Sequence, residues 1–131
     1  MKPLLLILSL TLHVCLAAGC TGLPDGVTPV TGFDINRYMG KWYEIARLDH
    51  RFERGLEQVT ARYSFRDDGG ISVVNRGYDA SREQWREAED KALFIDEPTT
   101  GRLKVSFFGP FYGSYNIIEL DHVGYRYALV S

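Results

Sequence analysis

Residues 58–70 read QVTARYSFRDDGG, and this stretch decides the fold class of the chain. Along it Val59, Ala61, Tyr63 and Phe65 fall on one face, and the residues between them are polar. A period of two is typical of a strand that buries one face. The aspartates and glycines at 67–70 favour a hairpin turn, because glycine readily adopts positive φ. The stretch therefore predicts an antiparallel hairpin, with strands over 58–66 and 71–78.

Short strands separated by tight turns continue outward from this hairpin in both directions. Five further strands are predicted, over 42–48, 85–95, 102–108, 114–120 and 125–131. A short helical turn over 33–38, with Asp34 available as its cap, precedes the first of them. Antiparallel meanders of this length commonly hide their edges by closing. The sequence therefore predicts one all-β domain, an antiparallel up-and-down barrel or a sandwich.

The N-terminus has the pattern of an export signal. Lys2 is followed by an apolar run over 3–12, which is shorter than the ~20 residues of a membrane span. The small residues Ala18 and Gly19 before Cys20 resemble the lipobox of bacterial lipoproteins. This resemblance implies cleavage before Cys20 and lipid attachment to it, with palmitate or a similar acyl chain. An ordinary secretory signal that is cut near Gly19 is the alternative.

The chain then divides into three segments. These are a lipoprotein signal peptide (1–19), a lipidated N-terminus and tether (20–32) and a domain (33–131). Removal of the signal takes Cys15 with it, so Cys20 has no partner for an intramolecular disulfide. The residue after Cys20 is Thr21 rather than Asp. In bacterial lipoproteins this resembles a signal for the outer membrane rather than for retention in the inner membrane. We therefore expect a lipid-anchored protein of the cell outer membrane that faces the periplasm.

Composition and motifs argue against several classes of function. A net charge of −2 argues against nucleic acid as a partner, because phosphate binding needs a basic face. His50 and His122 are far apart in sequence, and the domain has no cysteine nucleophile. No metal-binding or cofactor motif is present in the sequence. We therefore expect no enzyme, no cofactor and no metal.

Four stretches resemble the lipocalins, and in particular their bacterial outer-membrane lipoprotein subgroup. Gly40 and Trp42, in GKWY at 40–43, resemble the G-x-W signature. The other three stretches are residues 49–64, FFGPFYGSYNII at 107–118, and 121–130. The resemblance spans 33–131 and implies an eight-stranded barrel. It also implies binding, storage or transport of a lipid or other small hydrophobic ligand, such as a fatty acid or lysophospholipid, in membrane maintenance or stress.

The chain departs from the lipocalin pattern at its C-terminus. It ends at Ser131, after seven of the eight strands, so the family's eighth strand with its Arg and the following helix are not in it. Three explanations of this departure are open. The gene is truncated or frameshifted, the sequence is incompletely recorded, or the protein is complete and closes as a homodimer. The alternative function is that of a non-binding interaction protein, which pairs through its open edge.

The alternating pattern also identifies residues that face the interior and would contact a ligand. They are Val59, Ala61, Tyr63, Phe65, Ala92, Phe94, Leu103, Val105, Phe107 and Tyr115. Each of them is equally consistent with ordinary core packing. Asp90 shares a face with Ala92, where a small neutral residue is expected. If Asp90 points inward, it is either a polar contact for a ligand or a costly buried charge.

Overall fold

A computed structural model describes residues 21–49, 51, 53–108 and 110–131, without the side chains of residues 107 and 108. A single-turn helix, α1 (Ile35–Tyr38), precedes seven strands. The strands are β1 (Gly40–Tyr43), β2 (Leu56–Phe65), β3 (Ile71–Asp79), β4 (Gln84–Phe94), β5 (Arg102–Phe108), β6 (Phe111–Leu120) and β7 (Ala128–Val130). Among the described residues, no helix is long and apolar enough to cross a membrane.

The strands form one antiparallel meander in the order β1-β2-β3-β4-β5-β6-β7. This confirms the predicted all-β fold, and the sheet curls into a half-barrel. The predicted central hairpin is formed by β2 and β3, which place Tyr63 opposite Val73 and Phe65 opposite Ile71. Within the described residues, β1 pairs only with β2 and β7 only with β6, so both outer strands have an open edge.

The first strand is shorter than the predicted 42–48, because it ends at Tyr43. Glu44 N still donates to Val59 O at 3.0 Å. At that point β2 has an irregularity in register between Glu57 and Thr60, and Gln58 adopts a φ of 51°. The regular pairing of β1 with β2 ends at this bulge, with Tyr43 opposite Thr60.

The last strand is also shorter than predicted, because residues up to 127 belong to a turn rather than to β7. The Asp121 carboxylate accepts hydrogen bonds from the backbone N of Val123 and Gly124, and from Arg126 Nε at 2.9 Å. These bonds hold the pKa of Asp121 low, at about 2. A Cβ on Gly124 would lie 2.8 Å from Asp121 Oδ2 and from Arg126 Nε, so a larger residue here would require these two side chains to shift.

The core lies on the concave face of the sheet, beneath α1. Its buried members are Phe33, Tyr38, Tyr63, Ile71, Val73, Ala92, Leu103, Val105, Ile117 and Leu120. Burial of this apolar surface supplies the main force for folding, at ~25 cal/mol per Å².

The segment that the sequence predicts as a tether makes contacts with the domain. Val30 N donates to Ile117 O at 2.8 Å, and Gly101 N donates to Val30 O at 2.9 Å. Arg102 Nη2 donates to Thr21 O at 3.1 Å. Residues 21–30 are therefore joined to β5 and β6 at both of their ends.

Candidate ligand-binding interior

A small cavity lies between α1 and the concave face of the sheet. Its lining residues are Phe33, Ile35, Tyr38, Tyr63, Ile71, Ala92, Leu103, Val105 and Tyr115. Its volume is ≈ 10 Å³, which is about the room that one water molecule needs. A longer ligand therefore requires the lining side chains to move apart.

Helix α1 is held over the cavity by contacts to the turn between β6 and β7. The Asp34 carboxylate accepts from Asn36 N at 3.0 Å, which confirms the predicted cap. Arg37 donates to the backbone oxygens of His122 and Val123, at 3.0 and 2.7 Å. The guanidinium also lies 4.3 Å from the ring centre of Tyr125. The 121–130 motif therefore fixes the helix that covers the interior.

The G-x-W residues join α1 to β1 at the same end of the sheet. Trp42 Nε1 donates to Tyr38 O at 2.8 Å, and the rings of Trp42 and Tyr38 lie 4.6 Å apart. Gly40 has a φ of +102°, a conformation that other residues rarely adopt. This geometry directs Tyr38 into the cavity.

Three tyrosine hydroxyls meet in the wall of the cavity. Tyr115 Oη lies 2.9 Å from Tyr38 Oη and 2.7 Å from Tyr63 Oη, within hydrogen-bond distance of both. Burial raises the pKa of all three phenols, because it disfavours the charged phenolate. The cluster is therefore neutral at physiological pH, and its hydroxyls bond to one another while the surface of the cavity is apolar.

The predicted interior residues divide by their position in the structure. Tyr63, Ala92, Leu103, Val105 and Tyr115 line the cavity. Ala61 and Phe94 are partly buried and pack against the core. Val59 is buried nearer the far end of β2, where it faces Gly77.

Phe65 shares the inward face of β2 with Tyr63, as expected, but it is not buried there. Its side chain is 58% exposed, although its register partner Ile71 is buried. The pairing of β1 with β2 stops at Tyr63, so Phe65 has a neighbouring strand on one side only. The side chain of Phe107, the lipid-attachment residue Cys20 and His50 lie outside the described residues.

Asp90 points inward and is 8% exposed. It pairs with Val73, which in turn pairs with Tyr63, so the three residues form one row across the concave face. Asn75 Nδ2 donates to Asp90 Oδ2 at 2.9 Å. Burial raises the pKa of this carboxyl, and the bond from Asn75 opposes the shift. Asp90 is therefore a partly compensated buried acid.

The sequence reasoning missed four residues of the cavity: Phe33, Ile35, Tyr38 and Ile71. Ile71 and Val73 alternate with Ser72 at the start of β3, and this signal was sufficient to identify the inward face of that strand. The other three come from α1 and the residues before it. A single helical turn has too few residues for a periodic pattern to reveal its buried side.

Among the described residues, no group of three or more His, Cys, Asp or Glu side chains could hold a metal ion. The cavity instead offers apolar contact.

Comparison with known proteins assigns the family. The family model described as "Lipocalin-like domain" matches residues 33–131 of this chain. The chain belongs to the lipocalin-like family. It is 63% identical to the outer membrane lipoprotein Blc of Vibrio cholerae over 113 residues, which cover 86% of this chain and 66% of that protein. It is 64% identical to the outer membrane lipoprotein Blc of Escherichia coli K12, over 82% of this chain and 60% of that protein.

Among solved structures, insecticyanin from the tobacco hornworm Manduca sexta superposes with a TM-score of 0.63. The two sequences are 23% identical, and the match covers 79% of this chain and 56% of the insecticyanin chain. At that identity the likeness concerns the fold. The chain thus spans about three-fifths to two-thirds of the length of the curated relatives that it matches.

Proposed function

We propose that this lipocalin-like chain binds a lipid or other small hydrophobic molecule on the concave face of its sheet. The observation that carries the proposal is the cavity under α1, whose surface is entirely apolar and whose wall includes Tyr38, Tyr63 and Tyr115. Burial of an acyl chain there supplies ~0.8 kcal/mol for each CH₂. A fatty acid or lysophospholipid is the expected ligand class.

The names of the relatives support a membrane location for this binding. Two of them carry the name outer membrane lipoprotein, and the lipobox-like Ala18-Gly19-Cys20 fits the same address. We propose that Cys20 carries the acyl anchor, with the domain on the periplasmic side of the bacterial outer membrane. Binding, storage or transport of lipids would there serve membrane maintenance or stress.

Pairing with another chain through the open sheet edges is the second candidate function. It is favoured by Ile45 and Leu48, each 92% exposed just after β1, and by Leu129, which is 58% exposed in β7. Exposed apolar strand edges are templates for pairing with a further strand. A homodimer is the simplest such assembly.

Native mass spectrometry of the full chain, after mild extraction from membranes, separates the two candidates. Ligand binding predicts a monomer with acyl-chain adducts, which a fluorescent fatty acid displaces. A stable dimer of ligand-free mass, with no displacement of the fluorescent probe, would refute ligand binding and favour edge pairing. A variant in which Ile45 and Leu48 are both replaced by Lys is the control, because it should break edge pairing and leave the adducts intact.

A further inference from the structure

The two ends of the segment 21–30 are held at the same point of the sheet. Arg102 Nη2 donates to Thr21 O at 3.1 Å, and Gly101 N donates to Val30 O at 2.9 Å. Gly101 and Arg102 are neighbours in the chain, and Arg102 is the first residue of β5. The segment therefore leaves the start of β5 and returns to it, as a compact surface loop does.

Further contacts keep this loop folded against the domain. Val27 N donates to Pro24 O at 3.1 Å, which closes a turn at the tip of the loop. Val30 packs against the core, and Phe33 N donates to Thr99 O at 2.9 Å. A fully extended segment of this length would span roughly 33 Å. Because adjacent residues of the sheet hold its two ends, the loop adds little reach between the domain and whatever precedes Thr21.

The sheet has two different ends, because a meander places its turns alternately at one end and the other. The turns at 66–70, 95–101 and 121–127 lie at one end together with α1, and we call it the helix end. The turn at 80–83 lies at the other end, which we call the mouth end. At ~3.3 Å per residue, the 11 residues of β4 separate the two ends by roughly 33 Å along the strand. Arg102 directly follows the turn at 95–101, so the loop is attached at the helix end.

We propose that the helix end faces the membrane that holds the lipid anchor, and that the mouth end points away from it into the periplasm. The inference rests on the proposed function, because it takes Cys20 as the acylated residue. Cys20 directly precedes Thr21, and consecutive Cα atoms lie ~3.8 Å apart. The acyl chains therefore leave the domain beside Arg102, and the docked loop holds the domain in one orientation above the bilayer.

This orientation decides from which side a ligand enters. Helix α1 covers the interior at the helix end, where Arg37 holds it through the backbone oxygens of His122 and Val123. The covered end faces the bilayer, so a lipid enters through the mouth end. It comes from the periplasmic side, and it is not extracted directly from the leaflet that holds the anchor.

Energy transfer to a labelled bilayer measures the orientation of the full lipoprotein. Residues 21–131 contain no cysteine, so a single introduced cysteine takes the donor dye once Cys20 is acylated. Thr99→Cys places the dye at the helix end and Ala80→Cys places it at the mouth end, and both positions are exposed. Each variant is extracted with mild detergent and added to preformed vesicles of phosphatidylethanolamine and phosphatidylglycerol that carry an acceptor dye on their headgroups. Transfer from position 99 is expected to exceed transfer from position 80 by about twofold or more, given the roughly 33 Å along β4.

Two insertions provide matched variants that separate a docked loop from a free tether. A flexible insert of about twelve Ser and Gly residues has a mean span of roughly 20 Å. Placed directly after Cys20, with Ser first, it adds reach before the docked Thr21, and the difference in transfer should fall by more than about half. Placed after Gly26, in the exposed part of the loop, the same insert leaves both ends docked and should leave the difference unchanged.

The remaining outcomes overturn the inference in distinguishable ways. Equal transfer from the two positions, or greater transfer from position 80, would overturn the orientation and leave ligand binding untouched. An equal loss of the difference with both insertions would show that the segment 21–30 is a free tether. If the chain does not float with the vesicles, Cys20 does not carry the anchor, and that part of the proposed function fails together with the inference.

Discussion

Phe33 provides the sharpest test of how the interior is built. Its side chain is 3% exposed, and it lines the cavity. Its ring makes edge-to-face contacts with Tyr38 at 5.3 Å and with Phe94 at 6.2 Å. Truncation of a buried Phe to Ala costs about 3–5 kcal/mol, and the two ring contacts contribute ~0.5–1.5 kcal/mol each beyond the area buried. Phe33→Ala should therefore lower the free energy of unfolding by about 3–5 kcal/mol.

The chain contains a matched control for this substitution. Phe65 is 58% exposed, so Phe65→Ala should cost less than about 1 kcal/mol. Urea unfolding, followed by tryptophan fluorescence at constant pH, measures both variants. Equal losses in the two variants, or a loss below about 1 kcal/mol for Phe33→Ala, would refute the proposed packing of the segment before α1 over the interior.

Three further substitutions test the tether and two carboxyl groups. Gly101→Ala would put a Cβ 2.8 Å from Val30 Cγ2, so it should lower the free energy of unfolding, measured in urea, by about 1–3 kcal/mol. A change of less than about 0.5 kcal/mol would contradict the docked position of Val30. Asp121→Asn should destabilise the folded protein at pH 7. The difference in the free energy of unfolding from wild type should vanish as the pH falls from about 4 to about 2, because the pKa of Asp121 in the folded protein, about 2, lies below its value in the unfolded chain. A difference that is independent of pH would contradict this. Asp90→Asn should stabilise the folded protein at pH 7, since burial raises the pKa of Asp90 and so disfavours its ionised form. The gain in the free energy of unfolding should shrink as the pH falls to about 4. A loss of stability at pH 7 would instead mean that Asn75 compensates the ionised carboxylate well.

The strands were predictable wherever alternation and turn residues agreed. The stretch 58–70 identified both strands of the central hairpin, because Tyr63 and Val59 alternate with polar residues and the turn contains two glycines. Strand ends were less predictable. They depend on how far the neighbouring strand reaches, and Phe65 is exposed because β1 stops pairing at Tyr63.

The polar part of the interior was predictable only in part. The alternation of β2 and the resemblance to the lipocalins identified Tyr63 and Tyr115 as inward residues, but nothing in their spacing showed that their hydroxyls meet. Tyr38 comes from another element, 77 residues before Tyr115. The cluster depends on the placement of α1 by Arg37, a tertiary contact that leaves no periodic signal.

The most direct test of ligand binding on the concave face is cross-linking with a fatty acid that carries a photoreactive group in its chain. After illumination of the full chain, peptide mapping locates the attachment sites. Labels on the inward residues Ala92, Leu103 and Val105 are expected, and an excess of unlabelled fatty acid should suppress them. Labels confined to the exposed residues Ile45, Leu48 and Leu129 would contradict an interior site, because they would indicate adsorption to the open edges.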